Sequence, residues 1–167
     1  KSGNQLIILR DLNVPVHDKG WEVYMAIKVP VSVGEQLTFS KTISDYDVYG
    51  FAGITGDFAR NHVNEEYMSK HSPYGRRIAH GLLSLCMSST CSTSFAEKSE
   101  VTCVSLGYDR VRFLKPVFIG DTITVVYTCE AVDEEKGRSY SKVEVFNQKG
   151  ELCTVATHIL KYLGEDT

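Results

Sequence analysis

Apolar and polar positions change their period twice along the chain, and the changes mark its elements. Residues 34–43 alternate, with Leu37, Phe39 and Ile43 on one side and Thr38, Ser40 and Thr42 on the other, which predicts a strand. Ser44-Asp-Tyr-Asp47 then carries a capping-box pattern, in which a hydroxyl and a carboxylate satisfy the orphan donors of a helix start. Val48, Phe51, Ala52 and Ile54 predict the apolar stripe of that helix, and Gly56 its left-handed stop. Asn64 predicts the cap of a second short helix, with Glu65 and Glu66 in its first turn, and Pro73-Tyr-Gly75 predicts a turn. Residues 78–93 hold Ile78, Ala79, Leu82, Leu83, Leu85, Cys86, Met87 and Cys91. Apolar residues cover so much of that circumference that one long buried helix is predicted, its serines and threonines allowing a sheet to approach closely.

After that helix the period becomes two. Residues 101–113, 122–132, 138–146 and 152–163 read as strands, the second most clearly, with Ile123, Val125, Tyr127, Cys129 and Ala131 facing one way. Glu134-Glu-Lys-Gly137 and Gln148-Lys-Gly150 read as hairpin turns. One buried helix with an antiparallel meander predicts an α+β domain, the sheet wrapped around the helix. Residues 1–32 read as two edge strands or a packed arm ahead of a single folded unit over residues 33–167, with His17 in a solvated turn of that arm.

Composition narrows the classes. The 167 residues are 43% hydrophobic and 23% charged, the balance of a soluble globular domain with room for a core. A net charge of −3 gives no reason to expect nucleic acid or an anionic membrane as partner. The cysteines at 86, 91, 103, 129 and 153 are odd in number and form no C-x-x-C, so neither a disulfide framework nor a zinc site is indicated. No signal peptide and no apolar run of membrane-spanning length occurs, so the cytoplasm is expected, although Lys1 is not an initiator residue. Neither G-x-S-x-G nor H-E-x-x-H is present, which argues against a serine hydrolase and a zinc protease. Gly50, Gly53 and Gly56 lack the strand, lysine and Ser/Thr of a phosphate loop and read as helix packing and a cap.

The candidate chemistry lies in Gly56-Asp-Phe-Ala-Arg-Asn-His62 and in His80-Gly81 at the mouth of the apolar run. Asp57 and His62 each fall in irregular backbone next to a helix signal, where a carboxylate and an imidazole can reach one water for acid/base work near neutral pH. Singly, Asp57 reads as a helix-stop aspartate and His62 as a loop histidine. His80 reads as a packing and backbone-bonding residue, His71 as exposed, and His158 as a structural group bonded across the sheet.

Phe51-Ala-Gly-Ile-Thr-Gly-Asp-Phe-Ala-Arg-Asn-His-Val-Asn-Glu-Glu-Tyr67, followed by Gly75-Arg-Arg-Ile-Ala-His-Gly-Leu-Leu83, resembles the signature of the MaoC-like hydratases and dehydratases, and Pro116-Val-Phe-Ile-Gly-Asp-Thr-Ile123 resembles that family's entry into its next long strand. The resemblance runs from about residue 33 to residue 163. It implies a hotdog fold, a homodimer whose sheets join edge to edge, acyl-CoA thioesters as ligands and no metal or redox cofactor. It implies reversible hydration of a trans-2-enoyl-CoA to an (R)-3-hydroxyacyl-CoA, with Asp57 and His62 as the catalytic pair and the Gly81 amide as the donor to the thioester carbonyl. Ser89 matches a serine that supports the catalytic aspartate, with Ser88 as the alternative register. The family pattern Asp-x-Asn-Pro-x-His is altered here: Ala59 and Arg60 stand where it has asparagine and proline, and Asn61 is not at the asparagine's position. Arg60 is therefore a candidate for facing a polar acyl group, and Arg76 and Arg77 are candidates for the CoA phosphates, with solvated loop arginines as the alternative. A hotdog acyl-CoA thioesterase and a non-catalytic acyl-CoA-binding subunit are the competing readings.

Overall fold

The computed structural model describes residues 28–100 and 102–163, so the expected arm lies mostly outside the described residues. In chain order the elements are β1 (Gln36–Thr42), α1 (Asp45–Thr55), α2 (Arg60–Val63), α3 (Glu65–His71), α4 (Gly81–Cys86), α5 (Ser89–Ala96), β2 (Cys103–Phe113), β3 (Thr122–Asp133), β4 (Arg138–Phe146) and β5 (Leu152–Tyr162). The five strands form one antiparallel sheet in the order β1-β3-β4-β5-β2. The α+β expectation holds, but the meander is confined to β3, β4 and β5. β2 pairs with β5 at one edge, and β1 closes the other edge against β3.

Local rules explain most of these elements. Ser44 accepts from the Asp47 N–H and Asp47 accepts from the Ser44 N–H, so the capping box forms as the sequence predicts. Gly56 closes α1 at φ 77°, a conformation costly for any residue with a Cβ. Val48 and Ala52 are fully buried, but Ile54 is 86% exposed and does not belong to the stripe. At about 100° per residue it emerges roughly 240° around the helix from Val48. The alternation along β3 buries Ile123, Val125, Tyr127 and Cys129, then stops at a bulge between Cys129 and Ala131 that turns Ala131 outward.

The helix expected over residues 78–93 is two shorter ones. Ile78 forms an antiparallel bridge with Phe118, and the Ala79 N–H donates to Val117 O at 2.8 Å. Those backbone groups are committed to strand-like pairing, so helix begins only at Gly81. After Cys86 the chain tightens through Met87 and Ser88, where the Ser88 N–H reaches back only three residues to Leu85 O. The serine- and threonine-rich run that follows has weak helix formers whose hydroxyls bond their own backbone, as Ser92 does to Ser89 O and Ser94 to Thr90 O. Burial is also one-sided: Leu83, Leu85, Cys91 and Phe95 face the sheet, while Leu82 and Cys86 are exposed.

The core lies between these helices and the sheet, with the Phe95 ring edge-on to Tyr127 at 5.2 Å, and Val29 and Val31 closing one side. A polar group sits inside it. His158 is 1% exposed, bonded to the Tyr127 hydroxyl at 2.8 Å through Nδ1 and to the Ser105 hydroxyl at 2.7 Å through Nε2. Its ring stacks on Tyr108 at 4.0 Å. Burial pushes this imidazole down to about 4. The unfolded chain takes up the proton near pH 6.5 whereas the folded one refuses it until about pH 4. The contribution of His158 is therefore complete above pH 6.5 and is lost as the pH falls towards 4. Urea melts of the wild type and His158→Gln should diverge in slope across that window. The wild type loses roughly 1.4 kcal/mol per pH unit more than the variant, about 3 kcal/mol in all.

Candidate active site

Two backbone segments meet at the start of α4. The first, residues 56–62, runs from the cap of α1 through irregular chain into the single turn of α2. The second, residues 78–80, is the strand-like entry to α4. The Ile78 N–H donates to Asn61 O at 3.0 Å, and Ile78 O accepts from His62 Nδ1 at 2.8 Å. His80 Nε2 donates to Asp57 O at 2.9 Å. These bonds bring Asp57, His62 and His80 together, although eighteen residues separate the two histidines.

Each side chain is held by its surroundings. Asp57 follows the Gly56 cap, and its Oδ1 accepts from the Ala59 N–H at 3.2 Å, which aims the other oxygen at the histidines. Asp57 Oδ2 lies 3.9 Å from Nε2 of both His62 and His80, and the Asp57 side chain is 52% exposed. His62 and His80 are buried and stacked, their ring centroids 3.7 Å apart. A carbonyl can only accept, so His62 carries its proton on Nδ1 and offers a lone pair at Nε2 when neutral. Burial holds the His62 imidazole below its ordinary range. The bond to Ile78 O opposes that shift, nearby His80 adds to it, and Asp57 opposes it. His80 keeps its proton on Nε2 by the same logic, leaving Nδ1 as a buried nitrogen without a partner among the described residues.

Asp57, His62 and His80 offer ligand atoms within 4.8 Å of one another, so a metal centre needs weighing. Metal binding requires lone pairs that converge. Stacked rings at 3.7 Å with 26° between their planes direct in-plane lone pairs side by side, and the His80 Nε2 facing Asp57 is a donor. The cluster suits hydrogen bonding better than shared coordination of one ion.

Beside it opens a pocket of about 280 Å³ with Asn61, His62, His80 and Gly81 on one side and Phe113, Leu114, Lys115 and Thr154 among the opposing residues. Gly81 is the first residue of α4, so its N–H belongs to the turn whose donors have no acceptor within the helix. Because α4 spans only six residues, what its start offers is that local donor rather than the dipole of a long helix. A Cβ at Gly81 would lie 2.8 Å from the Phe113 ring, so glycine is what lets the aromatic side chain close over this point. The Ser84 hydroxyl donates to Gly81 O and meets the Thr154 hydroxyl, each at 2.7 Å, tying α4 to β5 beneath the pocket.

The other sequence candidates lie elsewhere. Ser89 is exposed at the start of α5 and makes no contact with Asp57 within the chain, and Ser88 is buried against the Tyr108 hydroxyl at 3.0 Å. Arg60 rests over the Tyr67 ring at 5.4 Å and Arg76 over Phe118 at 3.8 Å; neither lines the pocket. Arg77 is committed to structure: it donates to Glu65, Asp45 and the Tyr49 hydroxyl, joining α1 to α3. Conversely Asn61, set aside at the sequence level, enters the site by donating from Nδ2 to His62 Nε2 at 3.1 Å. Ser84 and Thr154 carried no signal, because their pairing depends on sheet register. Phe113 carried none either, because its contact with Gly81 spans two elements.

A five-stranded antiparallel sheet packed on short central helices, with two buried imidazoles lining a pocket at a helix start and a carboxylate beside them, defines a hotdog protein. The MaoC like domain matches residues 29–150, so the chain belongs to that family. An (R)-specific enoyl-CoA hydratase of Rhodospirillum rubrum is 34% identical over 106 residues, which are 64% of this chain and 71% of that one. A 3-hydroxybutyryl-CoA dehydratase of Methylorubrum extorquens is 34% identical over 107 residues, 64% of this chain and 66% of that one. The structure of the (R)-hydratase of Aeromonas caviae involved in PHA biosynthesis superposes with a TM-score of 0.72 at 25% identity, covering 79% of this chain and 97% of that one. Among the described residues no helix is long and apolar enough to cross a membrane.

The close approach of Gly81 and Phe113 is testable by overpacking. Gly81→Ala should destabilise the protein by about 1–3 kcal/mol, since the ring must move. Adding Phe113→Ala should recover part of that loss, a positive coupling visible in a double-mutant cycle of urea midpoints. Additive costs would mean that the two residues do not meet.

Proposed function

We propose that this protein hydrates a trans-2-enoyl-CoA reversibly to the (R)-3-hydroxyacyl-CoA, using Asp57 and His62 to hold and activate one water. One observation carries the reading: Asp57 Oδ2 and His62 Nε2 are 3.9 Å apart, too far for a direct hydrogen bond and short enough for one water to touch both. The relatives named as (R)-specific enoyl-CoA hydratases and as a 3-hydroxybutyryl-CoA dehydratase support the same class.

In this mechanism the Gly81 N–H polarises the thioester carbonyl, and the water attacks C3 as one member of the pair removes its proton. A proton is returned to C2 on the same face, and dehydration runs the steps backwards. Positioned acid/base groups typically contribute ~10²–10⁴-fold and a carbonyl donor ~10²–10³-fold, so these groups supply a substantial part of the acceleration. The chemistry needs no metal or redox cofactor. The same reading includes a homodimer: among the described residues β2 ends the sheet with one unpaired edge, and Leu106 and Phe113 on it are 43% and 49% exposed.

Incubation with a short trans-2-enoyl-CoA should yield the (R)-3-hydroxyacyl-CoA. Asp57→Asn and His62→Ala should each fold and lower kcat/KM by a few orders of magnitude, with the double variant little worse than either, because groups acting on one water are not additive. Free CoA, an (S) product, or near-wild-type turnover in folded Asp57→Asn would overturn the proposal. Light scattering should report a dimer or a multiple of it, and a stable monomer would contradict the edge-to-edge pairing.

A further inference from the structure

We propose that Asn61 is a positioning residue for His62: its carboxamide N–H donates to Nε2, keeping the ring neutral with that lone pair turned towards the pocket and Asp57. The functional consequence rests on the hydratase reading; the proton chemistry does not.

The geometry gives His62 one arrangement. Nδ1 is spent on Ile78 O at 2.8 Å, so a neutral ring has its only acceptor at Nε2. Asn61 Nδ2 lies 3.1 Å from that nitrogen, and both residues line the pocket. An amide N–H stabilises the unprotonated nitrogen that accepts it and offers nothing to the protonated one, so this contact opposes imidazolium. Other charged or titratable neighbours act from several sides. Asp57 lies on the preceding loop and favours protonation, and His80, stacked from the entry to α4, disfavours it. Lys115 faces the pocket from the loop after β2, and Arg60 and Tyr67 pair with each other on the adjoining turns. None of these donates a hydrogen bond to Nε2; Asn61 does. Burial lowers the imidazole, and the amide contact acts in the same direction while an exposed carboxylate sits 3.9 Å away.

In the proposed reaction this has two effects. The incoming water must share Nε2 with the amide or displace it. The acid limb of kcat/KM, which reports the free enzyme, lies lower than it would without Asn61. The residue at this position therefore sets the lower edge of the working pH range.

The test is a titration of His62 by nitrogen-15 NMR in the unliganded protein, using His62→Gln to assign the signal, with circular dichroism confirming the fold of each variant. Wild type should show the Nδ1–H tautomer at neutral pH. Asn61→Ala admits water, which can accept from a protonated Nε2, so the midpoint should rise by roughly half a unit to one unit. Asn61→Asp replaces the donor with a carboxylate and should raise it by more than one unit. The acid limb of kcat/KM on an enoyl-CoA should move up in the same order, whereas a merely structural residue would scale the whole profile down and leave the limb in place. An unchanged or lowered midpoint in Asn61→Ala overturns the proposal, because the carbonyl side of the amide would then be facing a protonated ring. If the protein hydrates no enoyl-CoA, the hydratase reading fails and the NMR titration still decides the role of Asn61.

Discussion

The site depends on the lacing of two short backbone segments. Three hydrogen bonds, from the Ile78 N–H to Asn61 O, from His62 Nδ1 to Ile78 O and from His80 Nε2 to Asp57 O, hold residues 56–62 against residues 78–80. Neither segment could fix these side chains alone: one is irregular chain with a single helical turn, and the other is a few extended residues. Joined, they use backbone carbonyls to fix which nitrogen of each buried histidine carries a proton. The second segment is itself anchored to the sheet side of the molecule by Ala79 on Val117 and by the Ile78–Phe118 bridge. The position of Asp57 and His62 is thereby referred to the connection that leads into β3.

The surrounding charges serve that frame. Arg77 looks like a phosphate ligand from its place in the sequence, yet its guanidinium is engaged by Glu65, Asp45 and Tyr49 and binds α1 to α3 around the site. Its side chain is 16% exposed while the two carboxylates are 59% and 55% exposed, so the bonds fix the guanidinium's place more than they add stability. Arg60 and Arg76 lie over aromatic rings, where a guanidinium stacks favourably without entering a pocket. The pocket wall is correspondingly low in charge, with Lys115 the cationic side chain among its lining residues and paired to Glu151 at 2.6 Å.

Two buried histidines are satisfied to different degrees. His158, deep in the core, is satisfied on both nitrogens by hydroxyls and stays neutral. His80, equally buried, has one nitrogen satisfied and one without a partner among the described residues. An unmet buried polar group costs about 1–3 kcal/mol, and His80 Nδ1 shares that condition with Arg138 Nε and the Ser139, Ser141 and Tyr162 hydroxyls on β4 and β5.

Whatever depends on neighbours along the chain was legible in the order of residues. The Ser44 box, the Gly56 stop, the Asn64 cap and the strands over 122–132 and 138–146 all follow from interactions within a few residues, and all stand at or within a residue or two of where the pattern put them. The spacing of Asp57, His62 and His80-Gly81 was legible for the same reason, since a motif is a local string. Tertiary structure decided the rest. It split the helix expected over 78–93, because Ile78 and Ala79 give their backbone groups to Phe118 and Val117, residues far away in sequence. It exposed Ile54 and turned Ala131 outward at a bulge, neither of which a periodicity can signal. It also drew Asn61, Ser84, Thr154 and Phe113 into the site and left Ser89 and the arginines out of it. Those placements are set by sheet register and by which backbone carbonyl meets which ring nitrogen, and such contacts exist only once distant segments are brought together.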